Sequence, residues 1–400
     1  MKIAFFVSEF PCISETFIAS QVIALKKSGH EVHIYSRHTP GKLVQHKMIN
    51  DSRLLDTTYY VGNIPSSRVR KITNVMSGVV SKWFIRNLRL ILHATFINRS
   101  LLSVYNLIPF LDKPSYNVVH AHFGENGDFV AQLRALGLFT NARFITTFHG
   151  YDLDESYKTN RSYNFLFKNC GLFTVNSLYS KNRLKHLGCN EEKIEILPAG
   201  IDTSIYNRTK KKRIKNSPIT LVFIGRLIKL KGPHLFVEIC NLLQNETTVS
   251  FNAIMIGEGP MYIEVERMVK KYRLESRLQL VGSKTQEEVV KYLNDADVFI
   301  LPGITVNGLA ETQGLVIQEA QAMQLPVLIS DAGGMSEGII DGETGFVIPE
   351  NHLAGFVKKI ELFSNDEDFR NEIGRAGRRY AEMRYDVAIL NHVLLRLYQN

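Results

Sequence analysis

Short runs of apolar residues alternate along this chain with stretches whose apolar positions recur every three to four residues. The run Ile3–Val7 is followed by a helical pattern with Phe17, Ile18, Val22, Ile23 and Leu25 on one face. A stop at Gly29-His30 then leads into a second apolar run, Val32–Tyr35. Such a β-α-β opening predicts a parallel sheet covered by helices. Val118–His122, Phe144–Phe148 and Leu172–Asn176 predict further buried strands of the same domain. A second series starts at Ile219, where Thr220–Ile224 ends in Gly225-Arg226 and a helix is predicted across His234–Leu243. Strands are predicted after it at Ala253–Ile256, Leu278–Val281, Val298–Leu301 and Val327–Ile329.

Between the two series, Arg208–Lys215 carries six Lys or Arg in eight residues and no acid. A polar, like-charged stretch of this kind reads as an inter-domain linker. The predicted fold class is therefore α/β, with two doubly wound, Rossmann-like domains facing each other across a cleft. Residues 1–207 form the first domain, 208–217 the basic linker and 218–379 the second. Ligands of such sheets bind beyond the carboxyl ends of the strands, so motifs that follow strands carry most weight.

Composition narrows the class without naming a chemistry. A chain of 400 residues that is 45% hydrophobic and 22% charged is ordinary for a soluble two-domain enzyme. Its four cysteines include no C-x-x-C pair, which points away from a disulfide framework or zinc site and towards a reducing compartment. The apolar run at Ile3–Val7 is too short for a signal-peptide core. No stretch approaches the ~18 apolar residues that span a bilayer. A cytosolic location is expected. The net charge of +9 suits nucleic acid, anionic lipid or phosphorylated small molecules equally.

Four segments at strand ends could carry chemistry. In Glu311-Thr312-Gln313-Gly314-Leu315-Val316-Ile317-Gln318-Glu319-Ala320, two glutamates eight apart bracket a glycine turn and a helix start. The free N–H groups at that start, Leu315 and Val316 among them, suit a diphosphate or sugar hydroxyls. Glu319, facing inward, is the kind of acceptor that a ribose diol needs. By spacing alone, two ordinary surface glutamates around a helix N-terminus are the better reading. Gly225-Arg226-Leu227-Ile228-Lys229-Leu230-Lys231-Gly232 places Arg and Lys five apart, able to close on two phosphate oxygens, or simply to open a solvated basic helix. Thr147-Phe148-His149-Gly150 ends a strand with a histidine placed to reach a ligand, although a lone histidine is often structural. Gly257-Glu258-Gly259-Pro260 begins like a dinucleotide loop but lacks the third glycine.

Taken together, these segments resemble the family-four retaining glycosyltransferases. Glu311–Glu319 resembles the family's E-x7-E signature. Gly333-Gly334-Met335-Ser336-Glu337 and Asp341-Gly342-Glu343-Thr344-Gly345-Phe346-Val347 are similar to its G-G-x-P-E and D-G-x-T-G-x-L segments. Gly225–Gly232 resembles its G-R-x-x-x-x-K-G, and Thr147–Gly150 its T-x-H-G. The loop Phe10-Pro11-Cys12-Ile13-Ser14-Glu15-Thr16-Phe17 is similar to the S-E-T-F subgroup associated with exopolysaccharide, colanic-acid and lipopolysaccharide assembly. That loop lacks the two glycines of many relatives, so their phosphate contacts are not carried over.

The resemblance implies a GT-B fold and a retaining hexosyl transfer from a nucleotide diphosphate sugar, UDP-linked, to a glycan or lipid-linked acceptor. It implies no cofactor and no metal. His149, Arg226, Lys231 and Glu311 would be catalytic. Gly225, Arg226, Lys231, Gly257, Gly314, Leu315, Val316 and Glu319 would bind the donor. Ser14, Glu15, Thr16 and His122 would belong to the acceptor side, and a C-terminal helix of about residues 380–400 would pack back on the first domain.

The rivals are a dinucleotide-dependent two-domain oxidoreductase, which needs a G-x-G-x-x-G turn found after no strand here, and a basic nucleic-acid-binding protein. Asp295-Ala296-Asp297 and Asp152-Leu153-Asp154 fit a D-x-D metal motif, but the first reads better as strand capping. His120-Ala121-His122 on a buried strand reads as packing rather than metal ligation. Finally, Thr57–Leu111 contains no acid but holds Arg68, Arg70, Lys71, Lys82, Arg86, Arg89 and Arg99, with Trp83 among apolar neighbours. Such a basic amphipathic segment suits an anionic membrane surface and predicts peripheral attachment at the inner face. A basic rim for a pyrophosphate acceptor is the other reading.

Overall fold

The computed structural model describes residues 1–12, 16–40, 49, 51–61, 110, 114–153, 162–209 and 217–399. Most of the segment expected to meet a membrane, including all of its basic residues and Trp83, the loop residues Ser14 and Glu15, Asp154 and most of the basic linker lie outside these residues.

The chain divides into two compact units. The first comprises Met1–Val175, Ser180–Leu197 and Leu394–Asn400. The second comprises Asn176–Tyr179 and Pro198–Val393. In the first unit the strands are β1 (Lys2–Glu9), β2 (Glu31–His38), β3 (Thr58–Tyr60), β4 (Val118–His122), β5 (Arg143–Phe148), β6 (Leu172–Val175) and β7 (Ile194–Ile196). They form one parallel sheet in the order β3-β2-β1-β4-β5-β6-β7. Around them lie α1 (Thr16–Lys27), α2 (Gly124–Ala135), α3 (Asn164–Asn169) and α4 (Leu178–His186).

In the second unit, β8 (Ile219–Ile224), β9 (Phe251–Ile256), β10 (Leu278–Leu280), β11 (Val298–Leu301), β12 (Val327–Ser330) and β13 (Gly345–Ile348) are also all parallel. Their order is β10-β9-β8-β11-β12-β13. The helices are α5 (Pro233–Glu246), α6 (Tyr262–Lys271), α7 (Gln286–Asp295), α8 (Leu315–Ala322), α9 (Leu353–Asn365) and α10 (Glu367–Tyr385). The last helix, α11 (Val387–Gln399), begins in this unit, and its residues from Leu394 on belong to the first. In each sheet the order reverses beside the first strand, between β1 and β4 and between β8 and β11. That is where such sheets hold ligands.

The strands form where they do because parallel strands covered on both faces need unbroken apolar runs. Ile3–Val7 and Val298–Leu301 are fully buried. Helix α1 buries Ile18, Ala19, Val22 and Leu25, a stripe at helical spacing, and ends on Lys26 and Lys27. Pro233 opens α5, where its missing N–H costs nothing, and Thr285 with Glu288 makes a capping box for α7. Sequence pattern missed β3, β7 and β13. All three lie at sheet edges; β3 (Thr-Tyr-Tyr) and β7 (Ile-Glu-Ile) are three residues long and mixed in polarity, and β13 (Gly-Phe-Val-Ile) begins inside the glycine-punctuated Asp341–Val347 segment.

Asp297 has the capping role expected for it. Its Oδ2 accepts the Thr220 N–H at 2.8 Å at the start of β8, and its Oδ1 lies 3.9 Å from the Arg370 guanidinium. Arg370 is 3% exposed and also donates to the Phe363 carbonyl at 2.7 Å. Replacing Arg370 by Met would strand a carboxylate at the base of the sheet. The urea midpoint of the second unit should fall by the equivalent of about 3 kcal/mol. An unchanged midpoint would show that Asp297 does not need its partner.

Candidate active site

The groups singled out in the second unit converge on the carboxyl ends of β8, β9 and β11. After β8 the chain runs through Gly225 and the exposed Arg226 into a short 3-10 turn, Lys229–Lys231. Lys231 Nζ lies 2.5 Å from Glu311 Oε2, and both side chains are 18% exposed. Burial by itself would raise the Glu311 carboxyl. The Lys231 ammonium and the N–H groups of Thr312 and Gly314 outweigh it and hold the carboxyl below its ordinary range. Glu311 is therefore an anion that positions a cation.

The Glu311 loop is set by a close approach. Gly333 has φ 62°, and a Cβ on it would sit 2.2 Å from the Glu311 carbonyl oxygen. Gly334 N–H donates to that same oxygen at 2.8 Å. Only glycine fits here, which accounts for the Gly333-Gly334 pair. Gly257 is likewise pressed against the Gly225 carbonyl, where a Cβ would come within 1.9 Å. This contact places Gly257 beside the loop that follows β8 as a spacer.

Gly314, at φ 75°, begins α8, and the helix has no side-chain cap. The N–H groups of Leu315 and Val316 fall in its first turn, where no intrahelical partner exists. Glu319 lies one turn further on, hydrogen-bonded to Tyr206. Burial raises its carboxyl to about 7, and the Tyr206 hydroxyl and the Lys231 charge offset this only in part. Tyr206 is 2% exposed and also accepts from Gln286 Nε2 at 3.1 Å.

Two neighbours in this loop escaped the sequence reading. Gln313 pairs through its amide with the Ala199 backbone, donating at 2.9 Å and accepting at 2.9 Å. Thr312 Oγ1 accepts from Asn176 Nδ2 at 3.0 Å. Gln313 stands where the family form carries Phe, and that departure was the available signal. Nothing local marked Tyr206, because its contact with Glu319 is wholly tertiary.

In the first unit, His122 ends β4 and His149 follows β5. His122 Nδ1 lies 3.0 Å from His149 Nε2, with the rings inclined by 7°. His122 also stacks on His120 and Phe5, and Phe17 and Phe123 pack on His149. Burial lowers His149 and, with a smaller effect of His149, His120, each to about 3, and it lowers His122 well below the usual range. All three imidazoles are neutral at physiological pH.

His120 is a structural residue. Its Nδ1 meets Tyr398 Oη at 2.7 Å and its Nε2 meets Thr147 Oγ1 at 2.6 Å. Tyr398 belongs to the C-terminal segment grouped with this unit. His122 Nε2 is buried without a hydrogen-bond partner among the described residues. Among those residues no group of three or more His, Cys, Asp or Glu is arranged to hold a metal ion.

The position of His149 is set by Asp152, which is 2% exposed. Its carboxylate accepts the N–H groups of Gly124 (2.9 Å), His149 (3.0 Å) and Gly150 (3.0 Å). Burial nonetheless pushes it up to about 6. Asp152 therefore knots the loop after β5 to the start of α2, a role that its spacing three residues after His149 could have suggested. Phe123, with φ 71° and ψ 142°, takes a backbone conformation rare outside glycine right beside these rings. Thr16, the one described residue of the S-E-T triplet, opens α1.

A family model described as Glycosyltransferase Family 4 matches residues 14–205, and one described as Glycosyl transferases group 1 matches residues 206–380. A glycosyltransferase of Escherichia coli strain K12 named for colanic acid biosynthesis, WcaL, is 28% identical over 100% of both chains. The amylovoran biosynthesis glycosyltransferase AmsK of Erwinia amylovora is 27% identical over 92% of this chain and 91% of its own. Among solved structures, Anabaena HepE in complex with UDP and glucose matches with a TM-score of 0.72 at 16% identity, covering 100% and 99% of the two chains. At that identity the likeness is one of fold.

The raised Glu319 carboxyl has a consequence for stability. Between about pH 4.5 and about 7 the folded chain keeps a proton there that the unfolded chain has lost. Stability therefore falls as pH rises through that window. Urea midpoints of the parent and of Glu319→Gln between pH 5 and 8 should converge at the acid end, with the parent losing more by pH 7.5. Parallel curves would mean that Glu319 is already ionised in the fold.

Proposed function

Because the chain belongs to the glycosyltransferases built from a family 4 and a group 1 domain, we propose that it transfers a hexose from a UDP-linked donor, with retention and without a metal, to a glycan or lipid-linked acceptor. The process served is assembly of a surface polysaccharide. In support, WcaL and AmsK are named for two such polymers, and HepE, which shares the fold, was determined with UDP and glucose.

One observation carries the reading: the Lys231–Glu311 pair lies at the head of α8, and Glu319 follows one turn on. In the transfer, the bond between the anomeric carbon and the diphosphate oxygen breaks and its electron pair leaves with the diphosphate. The acceptor hydroxyl oxygen bonds to the same face, and its proton passes to the departing phosphate oxygen. The developing negative charge is the part that needs help. Lys231, Arg226 and the N–H groups of Leu315 and Val316 supply it from the second unit. Glu311 holds Lys231 in place beforehand, so little reorganisation is needed. Glu319 takes the ribose diol, and Glu311 also takes a sugar hydroxyl. His149, neutral and fixed by Asp152, is suited to hydrogen-bond a sugar hydroxyl without adding charge. His122 and Thr16 are assigned to the acceptor side together with Ser14 and Glu15, which lie outside the described residues.

A second part of the proposal is attachment to the anionic cytoplasmic face of a membrane through the acid-free segment between Thr57 and Leu111. Among the described residues no helix is long and apolar enough to cross a bilayer, and the segment's basic residues and Trp83 lie outside those residues. Flotation with anionic vesicles should weaken with salt and fall when Lys82, Arg86 and Arg89 become Gln. Flotation indifferent to lipid charge or to that triple change would retire the idea.

The donor site is tested by enzymology in EDTA. A nucleotide sugar should raise the thermal midpoint there. Lys231→Ala should lower kcat by ~10²-fold or more, as losing one transition-state charge contact does. Glu319→Ala should act mainly on donor KM, because a ribose contact is shared by ground and transition states. Activity that vanishes in EDTA and returns with Mn²⁺, or equal small effects from both variants, would overturn the assignment.

A further inference from the structure

The first unit has a second polar concavity that the proposed reaction does not use. A cavity of about 390 Å³ opens among Arg134, Arg143, Lys168 and Lys193, with Phe144 and Cys170 in its wall. Arg143 is the first residue of β5, whereas His149 follows the last residue of that strand. The cavity therefore sits at the amino end of the sheet, away from the catalytic histidine.

Four cations line it and no carboxylate does. Two of them are anchored. Arg134 donates to the carbonyls of Phe139 (2.5 Å), Ala142 (2.8 Å) and Thr140 (3.3 Å). Lys193 Nζ donates to those of Phe167 (3.1 Å) and Cys170 (3.2 Å), at the end of α3. Carbonyls fix the direction of these groups but leave their charge uncompensated. The other two have no such employment. Arg143 Nε is buried with no hydrogen-bond partner among the described residues. Lys168 is exposed and forms no ion pair among them. A buried guanidinium N–H left unpaired is costly, and like charges gathered without an acid repel one another. An anion in the cavity would relieve both.

We propose that this cavity is a second anion site, distinct from the donor site, that binds a phosphate-bearing ligand. Two cations directed by carbonyls and two without side-chain hydrogen bonds or ion pairs among the described residues suit a tetrahedral, multiply charged group approached from several sides. A single planar carboxylate would need only one guanidinium fork. At ~30 Å³ per water the space holds roughly a dozen waters, enough for a diphosphate. The proposal does not depend on the reading of Lys231, because every residue it uses lies in the first unit.

Pyrophosphate would also bind the donor site, so the test is made in the full-length Lys231→Ala background. Calorimetric titration with pyrophosphate should show binding that weakens with salt. Adding Arg143→Gln and Lys168→Gln should weaken it ~10-fold or more, with Arg143→Lys intermediate. In an otherwise unaltered chain, the same two changes should leave the donor KM unchanged and should not lower the thermal midpoint. Pyrophosphate binding unaltered by the pair would overturn the proposal, as would a loss reproduced by changing two exposed lysines elsewhere, such as Lys270 and Lys271. The source of the phosphate is read from flotation with vesicles of phosphatidylcholine and phosphatidic acid, in a chain whose Lys82, Arg86 and Arg89 are already Gln so that the acid-free segment does not contribute. Loss of flotation in the Arg143→Gln/Lys168→Gln variant assigns a lipid headgroup. Unchanged flotation, with pyrophosphate binding lost, assigns a free phosphate ligand.

Discussion

The contact between the Lys231 ammonium and the Glu311 carboxylate is the one on which the rest of the second unit's site depends. It joins two loops at neighbouring strand ends, after β8 and after β11. Removing a carboxylate from water would ordinarily drive it to pick up a proton, and only the adjacent cation with two backbone N–H groups keeps Glu311 ionised. In return, Glu311 holds the ammonium at one place, beside the uncapped start of α8. The loops can come this close because Gly333 and Gly257 let one backbone lie directly on another. Gln313 and Thr312 then tie the Glu311 loop to Ala199 and Asn176.

Glu311 in the loop and Glu319 in α8 show how environment divides like groups into different states. Glu311 faces a cation and stays charged. Glu319 faces a neutral phenol, and burial moves its carboxyl to about 7. The same logic works in reverse in the first unit, where three imidazoles are crowded together out of water. Protonating any of them would place a cation in a poor dielectric beside its neighbours, so all stay neutral. At the opposite end of that sheet the cavity is lined by four cations and by no carboxylate.

Much of the architecture was legible in the order of residues. Central parallel strands are buried on both faces, so runs such as Ile3–Val7 and Val298–Leu301 can be read directly. The edge strands β3, β7 and β13 were not legible, since one open side relaxes that demand. The motif residues Lys231, Glu311, Glu319 and His149 stood out because their spacing after strands resembles a known family. Their individual roles still rest on the tests set out above. Tyr206 did not stand out, because its contact with Glu319 is one that spacing does not reveal.

The sequence by itself determined the two doubly wound sheets, their strand-end loops and the presence of a cation and two carboxylates in those loops. It could do so because apolar periodicity and glycine punctuation are local properties. Only the tertiary structure decided which carboxylate meets the cation and which meets Tyr206. It also decided that His122 and His149 share a hydrogen bond while His120 is spent on Thr147 and Tyr398. Charge state and hydrogen-bond partner depend on burial and on atoms distant in the chain, and neither is written in the spacing of residues.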